Sequence, residues 1–456
     1  MTFLVIDIGT SSLKAALLNQ TGDVLASVRR RIMNPSEETS SFESARWMQA
    51  LKEAIPHVVG RGRPDAIVIS GNGPTVVAVD AHGEVVGDPL LWLDSRSVVL
   101  EGSPSFYLPK IAWFQQNHPR ADAVRWYLPF PEYLVYVLTG EAVAITPSEE
   151  FSRFIWTVDD AVRGGVSPDT LPPFVDVATR VGQVRPAVAA ELGLPAGVPV
   201  IAAGSDFHMS LVGTNTLKPG RTCDRAGTSE GINFCSTERV NDGMLRTLPH
   251  VVPGLYNVAG ILSSTGLLFE WFREISGQQG RDYGDMMLDI LNVADSRDDP
   301  WFFPTSHRGD SWEFRRGMFI GLGARHNRAD MGRAVVLSIG FAVREAIETL
   351  RASGCDVRSL RGCGGQARNG MWMQMKADIT EVPITVPVVA DAELVGNLCC
   401  ALVALGESSS LGDAADGVVQ DLHVWEPDPG RVGFYRERYH QYRERFERFR
   451  TALEAC

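Results

Sequence analysis

Apolar and polar positions alternate along this chain in a way that marks its elements before any chemistry is considered. Residues 3–8, FLVIDI, form an apolar run broken by one acid, Asp7, and predict a buried strand. A Gly-Thr-Ser-Ser turn follows, then LKAALLN predicts a second strand. Gly22-Asp23 supplies another turn before VLASVRRRI, a third strand. Three strands joined by tight turns predict an antiparallel meander. Helical spacing over residues 43–59 and the strand DAIVIS at 65–70 then point to an α/β domain with a mixed sheet.

The middle of the chain repeats the opening. In RTCDRAGTSEGINFCS a strand-like run meets Gly227-Thr228-Ser229 and a second run follows, as in IDIGTSSLKAALL around Gly9-Thr10-Ser11. The spacing predicts a duplicated architecture, with LKPG (217–220) at the boundary and domains at 1–216 and 217–456. Residues 326–352 have helical spacing, with Met331, Val335, Ile339 and Val343 on one face. A glycine turn at 362–365 precedes another helix near 369–379. In the tail, Tyr435, Tyr439, Tyr442, Phe446, Phe449 and Leu453 recur at intervals of four and three, predicting an amphipathic helix docked on its own domain.

Composition adds limits. The chain has 456 residues, too many for one compact core, and 45% are apolar, enough for two. The net charge of −12 and the lack of a basic run argue against nucleic-acid binding. No apolar run approaches the roughly 20 residues that span a bilayer, so no membrane role is expected. The seven cysteines form no CxxC pair and no metal-like cluster with histidine, which suits reduced thiols in a cytoplasmic protein. His208, close to an acid of interest, reads as a packing or hydrogen-bonding residue.

Three segments carry chemistry. Asp7 ends a strand beside the turn formed by Gly9, Thr10, Ser11 and Ser12, with Lys14 nearby. A carboxylate there suits a metal ion and the turn suits phosphate oxygens; a structural hairpin with a buried acid fits equally. In VPVIAAGSDFHMSLVGT, Asp206 follows an apolar strand and a Gly-Ser turn, a position for a general base or for a helix N-cap. GCGGQARNG, residues 362–370, is a glycine turn that can receive a flat base, though such turns are common. Together and in this order they suggest phosphoryl transfer.

With those segments in hand, IDIGTSSLKAALLN, ISGNGPTVVAVDAHG, LLWLDSRS, AAGSDFHMSLVGT, RAGTSEGIN, GLGARHNRADMGRAVV and GCGGQARNGMWMQMKADI resemble the FGGY carbohydrate kinases over residues 3–410. The resemblance implies two ribonuclease-H-like domains of the actin-like ATPase superfamily, with an interdomain cleft for ATP, Mg2+ and a small sugar or polyol. It implies Asp206 as catalytic base, Asp7 as the acid near magnesium, and Thr10 with Ser11 as the first phosphate loop, flanked by Ser12 and Lys14. Gly227 and Thr228 match the second phosphate loop, and Gly364, Gly365 and Asn369 the adenosine turn. Asn72, Gly73, Trp92, Asp94 and Arg96 fall where the family shapes its sugar pocket. Members of that family are often dimers.

LLWLDSRS is similar to the xylulokinase branch, which implies a ketopentose. Three features depart from it. Gly71-Asn72-Gly73-Pro74-Thr75 stands where xylulokinases carry Gly-Gln-Met-His-Gly, Phe207 replaces the Asn after the base, and, against the second signature of the family as a whole, Leu337 sits where an acid or amide is usual. Lost polar groups alter specificity strongly, because unmatched buried polar groups are costly. Another sugar, polyol or sugar acid therefore stays open, as does a non-catalytic sensor of the same fold, although a sensor needs no base.

Overall fold

The computed structural model describes residues 1–9, 11–33, 42–92, 94–304, 311–312, 314 and 316–455. They divide into two compact units. The first comprises Met1–Asn215, Pro249–Gly254 and Ala392–Val419; the second comprises Thr216–Leu248, Leu255–Asp391 and Gln420–Cys456.

The first unit is built on a six-stranded sheet in the order Val24–Arg31, Ser12–Asn19, Thr2–Ile8, Ala66–Gly71, Pro199–Ser205, Arg180–Gln183. The opening three strands pair antiparallel, as the turn spacing predicts. Thr2–Ile8, Ala66–Gly71 and Pro199–Ser205 then run parallel in the centre, and their residues are almost wholly buried, which is why they read as unbroken apolar runs. Ile8 stands opposite Gly71, and Gly71 opposite Ser205. The carboxyl ends of the three central strands are therefore level. The helix Ala45–Val59 buries Trp47, Leu51, Ile55 and Val58, and Trp47 packs on Phe130, its ring centroid 4.0 Å away.

The second unit repeats this plan around an eight-stranded sheet. Its centre holds the antiparallel pair Thr222–Ala226 and Glu230–Ser236, with Leu360–Gly364 parallel to the first of these. The helix Arg328–Ala352 crosses the core and begins with a capping box: the Asn327 side chain accepts the Ala329 N–H while Asp330 accepts that of Asn327. Its apolar stripe is wider than the four positions named above, with Val336, Phe341 and Ile347 buried too. The closing helix Pro429–Ala455 docks on its own unit through Tyr435 and Tyr439, both buried in that core. The side chain of Leu453 lies outside the described residues.

One expectation changes. Gly362 is not in a turn but inside the strand Leu360–Gly364, where its missing side chain makes room for Ile384 and Met373. Packing also groups residues differently from a cut after residue 216: Ala392–Val419 packs with the first unit. The cause is local: a Cβ on Gly213 would lie 1.8 Å from the Ala392 carbonyl oxygen, and one on Gly396 would lie 2.2 Å from that of Met209. The helices Asp206–Gly213 and Ala392–Ala404 touch backbone to backbone, which only glycine permits.

Gly396→Ala should lower stability by about 1–3 kcal/mol through overpacking, although alanine favours an isolated helix by about 1 kcal/mol. Urea unfolding measures it, and a stabilised variant would refute the contact. A second prediction concerns Glu132, which is buried and accepts the Ile145 N–H at 2.8 Å. Burial pushes its carboxyl up to about 7. The folded chain thus holds a proton that the unfolded chain has released. The resulting stability is complete below pH 4.5 and lost as pH rises through 7. Glu132→Gln should match the parent at pH 4 and exceed it by up to about 3 kcal/mol at pH 8; equal unfolding midpoints at both pH values would count against this.

Candidate functional site

The level ends of the three parallel strands in the first unit collect the acids. Carboxyl ends of adjacent parallel strands are where α/β sheets place ligands. Asp7, one residue from its strand's end, stands opposite Lys14 across the hairpin, and Lys14 Nζ lies 3.6 Å from Asp7 Oδ2. Ser70 on the next strand donates to Asp7 Oδ1 at 2.8 Å. Asp7 is 3% exposed. Burial pushes its carboxyl up to about 7, Lys14 works against that rise, and Glu393 and Asp206 reinforce it. Three acids and one ammonium thus share one electrostatic environment.

Asp206 opens the helix Asp206–Gly213 directly after the strand Pro199–Ser205. The cap position belongs to Ser205, so Asp206 is the first helical residue rather than the cap. It is half-buried, and its charge is felt by both Asp7 and Tyr107. Phe207 beside it is half-buried. His208 faces inward: Ser205 Oγ lies 2.7 Å from its Nδ1, the ring meets Phe151 edge-on, and burial pushes its pKa down to about 3, leaving it neutral.

Glu393 and Asn397 are the residues that pattern reading missed. Both lie on the helix Ala392–Ala404, one turn apart. Glu393 accepts from Ser210 at 3.2 Å and from Lys14 at 3.3 Å; Asn397 donates to Ser70 at 3.0 Å and to the Ile6 carbonyl at 2.9 Å. One helix therefore holds both acid-bearing elements. The available signal is the acid–amide pair at i, i+4 in AELVGNLCC (392–400), an otherwise apolar stretch.

Ser11 and Ser12 continue the first turn, which is closed by the Gly9 N–H donating to the Ser12 carbonyl at 3.0 Å. Thr10 lies outside the described residues. Asn72 follows the second parallel strand, buried, its N–H donating to the Ile8 carbonyl at 3.0 Å. Gly73 is pressed by Tyr107, whose hydroxyl would lie 2.8 Å from any Cβ there, with Ser205 on another side. Trp92 is tied in through its N–H to Thr75 Oγ1 at 3.1 Å. Lys110, also unforeseen, donates to the carbonyls of Pro74 and Leu91 and so stitches the two segments together. Asp94 and Arg96 face each other, with Arg96 Nε 3.0 Å from both Asp94 oxygens.

In the second unit Gly227 and Thr228 form an exposed turn between two strands, the Gly227 N–H donating to the Ser229 carbonyl at 2.8 Å. The Thr228 carbonyl accepts the Gly266 N–H at 3.1 Å. Ala226 is paired with Gly364, so this turn and the glycine turn emerge side by side from adjacent strands. Gly364 has φ +87°, and a Cβ there would lie 2.3 Å from the Ala226 carbonyl oxygen; only glycine fits. Gly365 is open, with no atom within 4 Å of a Cβ built on it. Asn369 Oδ1 caps the helix Gly370–Thr380 by accepting the Trp372 N–H at 3.0 Å.

Gly227 and Gly365 thus present exposed backbone on neighbouring turns, with open space beside Gly365. Among the described residues, no group of three His, Cys, Asp or Glu side chains could hold a metal. Magnesium in phosphotransferases takes one or two carboxylates together with phosphate oxygens and water, which Asp7 suits. Also among the described residues, no helix is long and apolar enough to cross a membrane, and six cysteines are free and buried.

Similarity to known proteins follows the same lines. A xylulose kinase of Staphylococcus epidermidis is 27% identical, covering 96% of this chain and 95% of that protein. The crystal structure of a xylulose kinase from Rhodospirillum rubrum matches at a TM-score of 0.79 and 22% identity over the whole of both chains. That of a gluconate kinase from Lactobacillus acidophilus matches at 0.81 and 19%, again over both chains entirely. At these identities the structures establish the shared fold. The N-terminal domain model of the FGGY family of carbohydrate kinases matches residues 2–101 and 99–213, and its C-terminal domain model matches 225–405. The chain belongs to the FGGY family of carbohydrate kinases.

Proposed function

We propose that this protein transfers the γ-phosphoryl group of ATP to a hydroxyl of a small sugar or polyol, with a ketopentose as the first substrate to test. One observation carries the reading: in a chain of this family, Asp7 and Asp206 stand at the level ends of parallel strands, close enough for the Asp206 charge to act on Asp7. The name of the Staphylococcus epidermidis relative supports a ketopentose. The gluconate kinase of the same fold keeps sugar acids in the test set.

In this reading Asp206 accepts the proton of the attacking hydroxyl. It sits in the first turn of a helix, whose amino end favours a negative charge. Asn72, Gly73, Trp92, Asp94 and Arg96, with Tyr107 and Phe207, line the sugar's side. In the first unit Thr10, Ser11 and Ser12 are the proposed phosphate contacts; in the second, Gly227 and Thr228 take that role and Gly364, Gly365 and Asn369 receive the adenosine. Lys14 neutralises charge beside Asp7, and Glu393 holds Lys14 and the Asp206 helix in place. Asp7 would hold magnesium, which when bound supplies positive charge to the transferring phosphoryl group. A cytoplasmic location and a homodimer belong to the same proposal.

A coupled ADP-release screen over ketoses, aldoses, polyols and sugar acids tests the activity, and silence across the whole panel would overturn it. With a substrate identified, Asp206→Asn should cut turnover by about 10²–10⁴-fold, the usual worth of a general base, while ADP affinity stays unchanged. Near-parental turnover would remove Asp206 from the mechanism. Asp7→Ala should raise the magnesium concentration for half-maximal rate by at least about tenfold, the loss of one charged ligand. An unshifted magnesium titration would contradict the assignment.

A further inference from the structure

Behind the exposed turns of the second unit lies a charged network that the reading above leaves unused. Lys376 donates to Asp224 Oδ2 at 2.8 Å and to Glu230 Oε1, and Gln366 donates to Glu230 Oε2 at 3.1 Å. None of the four is more than 4% exposed. Their positions along the chain matter more than their number. Glu230 is the first strand residue after Gly227-Thr228-Ser229, and Gln366 follows Gly365 in the glycine turn. Lys376 lies on the helix that Asn369 caps. Each oxygen of one carboxyl group is thus committed to a different part of the glycine-turn segment, while its own backbone ends the phosphate turn.

Stability alone does not call for such a network. A buried ion pair is frequently no better than apolar residues of equal volume, because desolvation offsets the attraction. Here two carboxyl groups share one ammonium: burial pushes Glu230 up to about 7, Lys376 opposes the rise, and Asp224 adds to it. What charged hydrogen bonds do supply is short, directional geometry. The phosphate turn is held from its other side as well, by the Gly266 and Leu267 N–H groups on the Thr228 carbonyl at 3.1 and 3.3 Å. A Cβ on Gly266 would lie 2.2 Å from the Gly227 carbonyl oxygen, so this contact too is close and specific. A turn gripped on both sides has one position relative to its neighbour.

We propose that Glu230 is a positioning residue that sets the phosphate turn Gly227–Ser229 in register with the glycine turn Gly364–Asn369, so that a nucleotide resting on both is bound as one unit. This rests on the nucleotide-site reading given above. Its signature is a loss confined to ligands that span both turns. Either fragment alone needs only its own turn.

Calorimetric titration of the full chain with ADP, adenosine and pyrophosphate, each with magnesium, provides the test. In Gln366→Leu and in Glu230→Gln, ADP should bind about tenfold more weakly, the worth of one charged hydrogen bond. Adenosine and pyrophosphate should stay within about twofold of the parent. Gln366→Leu takes a buried partner from Glu230, so its melting temperature should fall; adenosine and pyrophosphate binding preserved in the same variant separates the ADP effect from unfolding. Unchanged ADP affinity in both variants, or an equal loss for all three ligands, would overturn the positioning role. A parental chain that binds no ADP would instead sink the nucleotide reading, and this inference with it.

Discussion

The contact between the helices Asp206–Gly213 and Ala392–Ala404 is the constraint on which the first unit's chemistry depends. Gly213 and Gly396 let the two backbones meet at distances no side chain would allow. At that separation Glu393 reaches both Ser210, on the helix that Asp206 begins, and Lys14, opposite Asp7. Asn397 reaches Ser70, which in turn holds Asp7. A wider spacing would leave each polar group buried without its partner, at a cost of about 1–3 kcal/mol apiece. The close approach and the polar network therefore require each other.

That mutual requirement explains which parts of the molecule could be read from sequence. The central strands were legible because burial on both faces leaves an unbroken apolar run, and the meander because its turns are short and marked by glycine. The two acids were legible because each sits where a strand ends. Glu393 and Asn397 were not, since they lie nearly four hundred residues from Asp7 and their partners are set by a helix packing that no local period reports. Gly213 and Gly396 look like ordinary helix interruptions until the neighbouring backbone is seen. For the same reason a single cut in the chain could not separate the units.

The glycine segment near residue 362 shows another limit. Four glycines in GCGGQARNG suggest a loop, yet each does something different. Gly362 clears space for Ile384 and Met373 within a strand, Gly364 turns the chain through a positive φ against Ala226, and Gly365 leaves open space. Gly370 accommodates Trp425 at the start of a helix, where a Cβ would lie 2.6 Å from the indole. Composition registers the shared permissiveness of glycine; only geometry separates close packing from openness to a ligand.

The duplicated strand–turn–strand units put charge to different uses. In the first, Asp7 has its cation supplied from within its own hairpin, by Lys14 directly across the strands, and the ion pair is a loose 3.6 Å. Burial raises that carboxyl and Lys14 opposes the rise. In the second, Asp224 and Glu230 take their cation from a helix far along the chain, and Lys376 is wholly buried between them. Those bonds have no slack and no route to solvent, so their acids cannot take up a metal without dismantling the core. One copy of the motif therefore keeps its charge pair within a single hairpin, and the other ties its own turn to a distant helix of the same unit.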